Sequence, residues 1–154
     1  MHPRHLLLAL ALFCVAAQAV DTSTFTPREP SARERMVTAR QAIDSSDWKR
    51  AIAELQTAVK AEPRNADAHN LLAYSYRKSG TDLPKAFEHY NMALKLDPRH
   101  KGAHEYIGEA YLQDRQPAEA QKHLAELEKI CGNRTCDEYQ ELSKAIADYK
   151  ARNQ

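Results

Sequence analysis

The chain has 154 residues, with 22 Lys and Arg against 21 Asp and Glu and a formal net charge of +1. That balance argues against nucleic acid as a partner, because binding phosphates needs a clear basic excess. Past the first residues no stretch is apolar enough to span a bilayer, so no membrane insertion is expected once those are removed.

His2-Pro3-Arg4-His5 makes a short basic start, Leu6 to Ala17 is apolar but too short for a membrane span, and Ala17-Gln18-Ala19 has the small-x-small cleavage form. Residues 1–19 therefore read as a signal peptide and the protein as exported, with the bacterial periplasm the expected compartment. Cys14 lacks the small residues before it that lipidation wants. Residues 20–30 hold Thr, Ser and two prolines and read as a flexible leader. The domain is expected over 31–151.

Ser31-x-x-Glu34 is a capping box, in which the Ser hydroxyl and the Glu carboxylate each satisfy a backbone N–H. It predicts a helix to Asp44, ended by Ser45-Ser46-Asp47. Trp48 to Ala61 is the second helix, stopped by Glu62-Pro63. Asn65 caps a helix over 66–79 that ends at Gly80, and Asp82 caps another with Pro84 in its first turn, running to Leu96. Lys101 to Arg115 follows, then a helix from Pro117 to about Cys131-Gly132. A second capping box, Thr135-x-x-Glu138, predicts a last helix from 135, with Tyr139, Leu142, Ile146 and Tyr149 on one face and Glu141, Lys144, Asp148 and Lys150 on the other.

Two segments recur at an offset of 35 residues. Ala51-x3-Leu55-x2-Ala58-x4-Pro63 returns as Ala86-x3-Tyr90-x2-Ala93-x4-Pro98, and Leu72-Ala73-x2-Tyr76 returns as Ile107-Gly108-x2-Tyr111. Over roughly residues 32–130 the chain resembles the tetratricopeptide repeat family, whose signature has this skeleton of small, large and terminating positions. The resemblance implies an all-α fold, an α-solenoid of about three helix pairs (32–65, 66–100, 101–132) plus a C-terminal capping helix over about 136–151 that closes the stack. It also places Trp48 as a packing residue at the turn into a second helix.

In that family the first helix of each repeat lines a concave groove that holds a peptide or helix. Carried over by register, the groove set is Arg33, Met36, Arg40, Ile43 and Asp44, then Asp67, Asn70, Tyr74, Arg77 and Lys78, then Glu105, Glu109, Leu112 and Gln113. Arg40, Asn70, Tyr74, Arg77, Glu105 and Glu109 are the favoured contacts. Chaperone-binding relatives clamp a carboxylate with basic residues here, and Glu105 and Glu109 depart from that pattern. The basic residues are expected toward one end of the groove and these two acids toward the other.

Cys131 and Cys136 flank a helix-to-helix turn, and export makes a disulfide the default, with a structural role rather than a redox one, since C-x4-C is not the C-x2-C spacing. No metal site is expected: His100 and His104 lie four apart, but no carboxylate–histidine motif surrounds them, and the five histidines beyond the signal read as core or surface. Nothing sits in a Gly-flanked nucleophile turn or a Gly-rich phosphate loop, so no catalytic residue and no cofactor is expected. The resulting expectation is a non-enzymatic adaptor or assembly factor of the cell envelope with a protein or peptide partner. The alternative is a structural subunit of a larger envelope complex, or a self-associating array.

Overall fold

The computed structural model describes residues 28–153. The expectations for residues 1–19, and for most of the leader, lie outside them. Seven helices follow in order: α1 (Ala32–Asp44), α2 (Trp48–Ala61), α3 (Ala66–Ser79), α4 (Leu83–Leu96), α5 (Lys101–Gln113), α6 (Pro117–Cys131) and α7 (Asp137–Arg152). None among the described residues is long and apolar enough to cross a membrane. They pack as three hairpins, α1 on α2, α3 on α4 and α5 on α6, with α2 against α3, α4 against α5, and α7 against both α5 and α6. This is the expected α-solenoid of helix pairs with a capping helix.

The small positions explain the close crossings. Ala51, Ala58, Ala86 and Ala93 are fully buried, and so are Leu55 and Tyr90, which fill the gaps beside them. One apolar cluster runs from α1 to α5, and a second joins α5, α6 and α7 through Leu112, Leu124, Leu127, Leu142 and Ile146, with Tyr111 packed against both. Gly108 is a close approach: a Cβ there would stand 2.6 Å from a methyl of Leu142, so only glycine lets α7 seat on α5 as it does.

The caps hold where the sequence puts them, with one exception. Both bonds of the Ser31–Glu34 box form, and the Ser31 hydroxyl and N–H hold the Glu34 carboxyl down at about 2. Asn65 and Asp82 each accept from the third backbone N–H of their helices as expected, and Asp47, expected only to end α1, does the same for α2. The box expected at Thr135 is absent. Asn133 Oδ1 captures the Thr135 N–H at 2.9 Å and its hydroxyl at 2.8 Å, so the Thr side chain turns back and α7 starts at Asp137 behind Cys136. Glu138, the other half of that box, pairs with Lys101 at 3.4 Å instead.

α5 also ends earlier than expected, at Gln113. Arg115 N–H donates to the Leu112 carbonyl at 3.1 Å and Gln116 N–H to that of Tyr111 at 2.7 Å, the two bonds of a Schellman closure. The same pair closes α1, from Ser46 to Ile43 at 2.9 Å and from Asp47 to Ala42 at 2.7 Å. The motif needs a left-handed residue, and Ser46 (φ 58°) and Arg115 (φ 60°) take that conformation without being glycine. Gly80 (φ 68°) fills the corresponding place after α3 at no steric cost.

Candidate functional site

The face expected to bind a partner is built on α3 and α5, with α7 closing it. Side chains pair in three rungs along the two helices. At the first, Asn70 lies against Gly102, its amide 3.4 Å from where a Cβ would stand. At the second, the rings of Tyr74 and Tyr106 are 4.8 Å apart and tilted by 49°. At the third, Arg77 and Glu109 form an ion pair at 2.5 Å, and Arg77 Nε also donates to Tyr90 Oη at 3.3 Å. A depression of about 300 Å³ opens beyond the third rung, lined by Arg77, Glu109, Leu112, Gln113, Ala145, Asp148, Tyr149 and Arg152.

Aromatic rings and cations gather at the middle rung. The Trp48 ring stands edge-on to Tyr74 at 6.2 Å, half-buried as a packing residue. The Arg77 guanidinium carbon lies 5.5 Å from the Tyr74 ring centre and 6.0 Å from that of Tyr106, and Lys78 Nζ is 5.9 Å from Tyr74. Burial raises the Tyr74 hydroxyl pKa, and burial beside Glu105 pushes Tyr106 to about 12. Burial also pushes the Glu105 carboxyl up to about 8, aided by Glu109 and by Glu138 and Glu141 of α7.

Several sequence expectations change here. The separation of basic and acidic ends does not survive, because Arg77 and Glu109 neutralise each other across the helices. Asn70 is 5% exposed, below the surface rather than on it, and its Oδ1 finds no hydrogen-bond partner among the described residues. Met36 belongs to the core, and Leu112 belongs to the second core cluster while its edge lines the depression beyond the third rung. Arg40 is exposed on α1 and takes no part in the three rungs.

The histidines form an arrangement that one-at-a-time reading missed. His69 and His89 face each other Nδ1 to Nδ1 at 3.0 Å, and His104 and His123 do so at 2.9 Å. His69 Nε2 is 3.1 Å from the Pro63 carbonyl and His104 Nε2 is 3.1 Å from that of Pro98. Each pair thus joins both helices of one repeat to the proline ending the repeat before. The signal was present, since His69 recurs as His104 at the 35-residue offset and His89 recurs as His123 one residue short of it. His100 does not share a site with His104: it caps α5 through Nδ1 and contacts Asp67 through Nε2 at 3.0 Å.

Cys131 and Cys136 sulfurs stand at bonding distance, 2.09 Å, tying the end of α6 to the start of α7. With a Glu138 carboxylate they make the one compact set of metal-ligand atoms among the described residues, yet each sulfur is engaged by the other and Glu138 by Lys101. A second and larger depression, about 630 Å³, lies between α2 and the turn from α3 into α4, lined by Trp48, Ile52, Gln56, Tyr76 and Lys85 among others.

Stacked antiparallel helix pairs with a capping helix define an α-solenoid repeat protein. The tetratricopeptide repeat family model matches residues 37–100, which supports the tetratricopeptide resemblance read from the sequence. No curated protein matches it in sequence. Solved structures share its fold. The TPR2B domain of yeast Sti1 in complex with pHsp70 has a TM-score of 0.71 at 19% identity, covering 79% of this chain and 97% of that one. The Sgt2 TPR domain of Aspergillus fumigatus gives 0.70 at 20% identity, covering 81% and 80%. The Yersinia enterocolitica type III secretion chaperone SycD, in complex with a peptide of the translocator YopD, gives 0.66 at 17% identity, covering 79% and 94%.

Proposed function

We propose that this protein is a non-enzymatic protein-interaction module that holds a partner peptide or helix against the α3–α5–α7 face. The observation that carries the reading is the middle rung, where Tyr74 and Tyr106 present adjoining aromatic rings on two rigid helices, flanked by charged groups. Aromatic anchors with a charged rim are what protein interfaces use for affinity and for choice of partner. Peptides in the solved complexes of Sti1 and SycD lend support, as those proteins share this fold.

The place of action is the cell envelope, reached by export and removal of residues 1–19, with the periplasm as compartment and the Cys131–Cys136 bond formed there. Mass measurement of the exported protein should show Val20 as the first residue. For the binding face, a photo-crosslinker is placed at Tyr74 and, in a second variant, at Gln56 in the larger depression. Capture of one defined partner from Tyr74 alone supports the reading; capture from Gln56 alone moves the site to that depression.

A structural subunit or self-associating array is the second reading, favoured by Val37, a large apolar residue 52% exposed on α1. Sedimentation separates the two, since a monomer supports the adaptor.

A further inference from the structure

Two oxygen acceptors of this face have no hydrogen bond among the described residues, Asn70 Oδ1 and the Glu105 carboxylate. Glu105 is partly buried on α5, and among the described residues no hydrogen bond helps to hold its charge. Glu109 lies near it on its own helix, and Glu138 and Glu141 lie near it on α7. Two cations stand within reach and both are committed elsewhere. Arg77 is held by Glu109 and Tyr90, and Lys101, four residues ahead of Glu105, is turned to Glu138 at 3.4 Å.

Asn70 is the second, independent sign. It is 5% exposed, its amide sits against Gly102 one turn ahead of Glu105, and its Oδ1 is buried without a partner among the described residues. A buried acceptor left unmade costs about 1–3 kcal/mol, so such an atom marks a place where a donor belongs. Beside Glu105 stand the Tyr74 and Tyr106 rings, whose faces attract cations.

The complement of two unmet oxygens, an excess of negative charge and aromatic walls is an organic cation bearing several N–H groups. A hard divalent ion fits less well, because it takes several carboxylates and, of those near Glu105, Glu109 is held by Arg77 and Glu138 by Lys101. We propose that this part of the face receives a lysine or arginine side chain of a basic partner segment, with Glu105 as its counter-ion. The proposal rests on the reading of this face as the partner surface, and it names that partner's chemistry. It sets this chain apart from domains that hold acidic tails such as the Hsp90 peptide SRMEEVD, which the first TPR domain of Spaghetti binds.

The test uses the exported full chain and two end-blocked fluorescent peptides, one of alternating arginine and alanine and one of sequence SRMEEVD. Anisotropy should show the basic peptide binding about tenfold or more tighter than the acidic one. Glu105→Gln should remove most of that difference while melting no lower than the parent, and Glu105→Ala serves as a second variant should Gln disturb the fold. Glu141→Gln, at the edge of the acidic set, should weaken binding only slightly. Binding should also strengthen as pH rises from about 6 to 9, because the Glu105 carboxyl must lose its proton to act as counter-ion. Equal binding of the two peptides, no binding of the basic one, or a Glu105→Gln variant that binds it as the parent does would each overturn the proposal. If the basic peptide fails while Tyr74 still captures a partner, only the partner's chemistry is wrong; if both fail, the face itself is not the binding surface.

Discussion

His104 on α5 and His123 on α6 meet through their Nδ1 atoms at 2.9 Å, and the geometry fixes where the protons sit. His104 Nε2 faces the Pro98 carbonyl, an acceptor, so that nitrogen carries a hydrogen and donates. In the neutral ring Nδ1 is then the acceptor, and His123 must donate to it. A pair built this way resists a second proton. Burial first, and then the neighbouring His104, push His123 down to about 4, against the pull of Glu119 and Glu126. Burial and His69 lower His89 in the same direction.

Acid sensitivity follows with a definite sign. Between the ordinary histidine value of about 6.5 and the folded value of about 4, the unfolded chain binds more protons than the folded one, so stability falls as pH falls through that window. The loss at His123 is on the order of 2 kcal/mol, since solvent reaches part of the ring. Melting at pH 7 and pH 5 should show it. His123→Asn keeps a donor toward His104 but does not titrate, so its drop between the two pH values should be smaller; an equal drop would place the sensitivity elsewhere.

The Arg77–Glu109 pair predicts an asymmetry between its two members. Arg77 has 9% of its side chain exposed, Glu109 28%. Glu109→Ala leaves a buried guanidinium without its carboxylate and should cost about 2–3 kcal/mol, somewhat less than for a fully buried pair. Arg77→Met keeps the packing of the stem and should cost less. Urea denaturation of both single variants and the double variant gives the coupling, and additive losses would mean that the pair contributes nothing.

Gly108→Ala should lower stability by about 1–2 kcal/mol, although alanine is the better helix former. The added methyl would meet both terminal carbons of Leu142, a side chain with no solvent-exposed surface to move into. In a Leu142→Ala background the same change should turn neutral or stabilising, which a double-mutant cycle reads directly.

Removing the sulfur link by replacing Cys131 and Cys136 with Ser should lower the unfolding midpoint by about 2 kcal/mol or less, because the closed loop is short. Partner binding at low temperature should persist. Labelling of both thiols in exported, unreduced protein would show the bond absent.

The helices were legible in the sequence because their ends depend on residues three or four positions apart. Asp47, Asn65, Asp82, Gly80 and the prolines after α2 and α4 act within a single turn, and each does what its chemistry dictates. Thr135 failed as a cap because a competitor two residues away, Asn133, is as good a partner as the helix N–H groups. The length of α5 was overestimated because Arg115 adopts a conformation that composition assigns to glycine. The candidate binding face was legible only as a register: the repeat puts Tyr74 and Glu109 on first helices, but it says nothing of whether Glu109 meets a partner group or Arg77. That pairing, like the two histidine pairs, is set by how neighbouring helices are staggered, a quantity the sequence does not print.

The fit of Leu142 over Gly108 bears on assembly as well as on stability. By seating there, α7 occupies the place where a further repeat would stack, so the C-terminal edge offers no open seam. Among the described residues the opposite edge is formed by α1, with Val37 exposed. Two chains meeting through α1 would do so by a twofold, face-to-face contact and would then have no free edge left. Self-association by this route stops at a pair, and a filament would require α7 to be pulled away first.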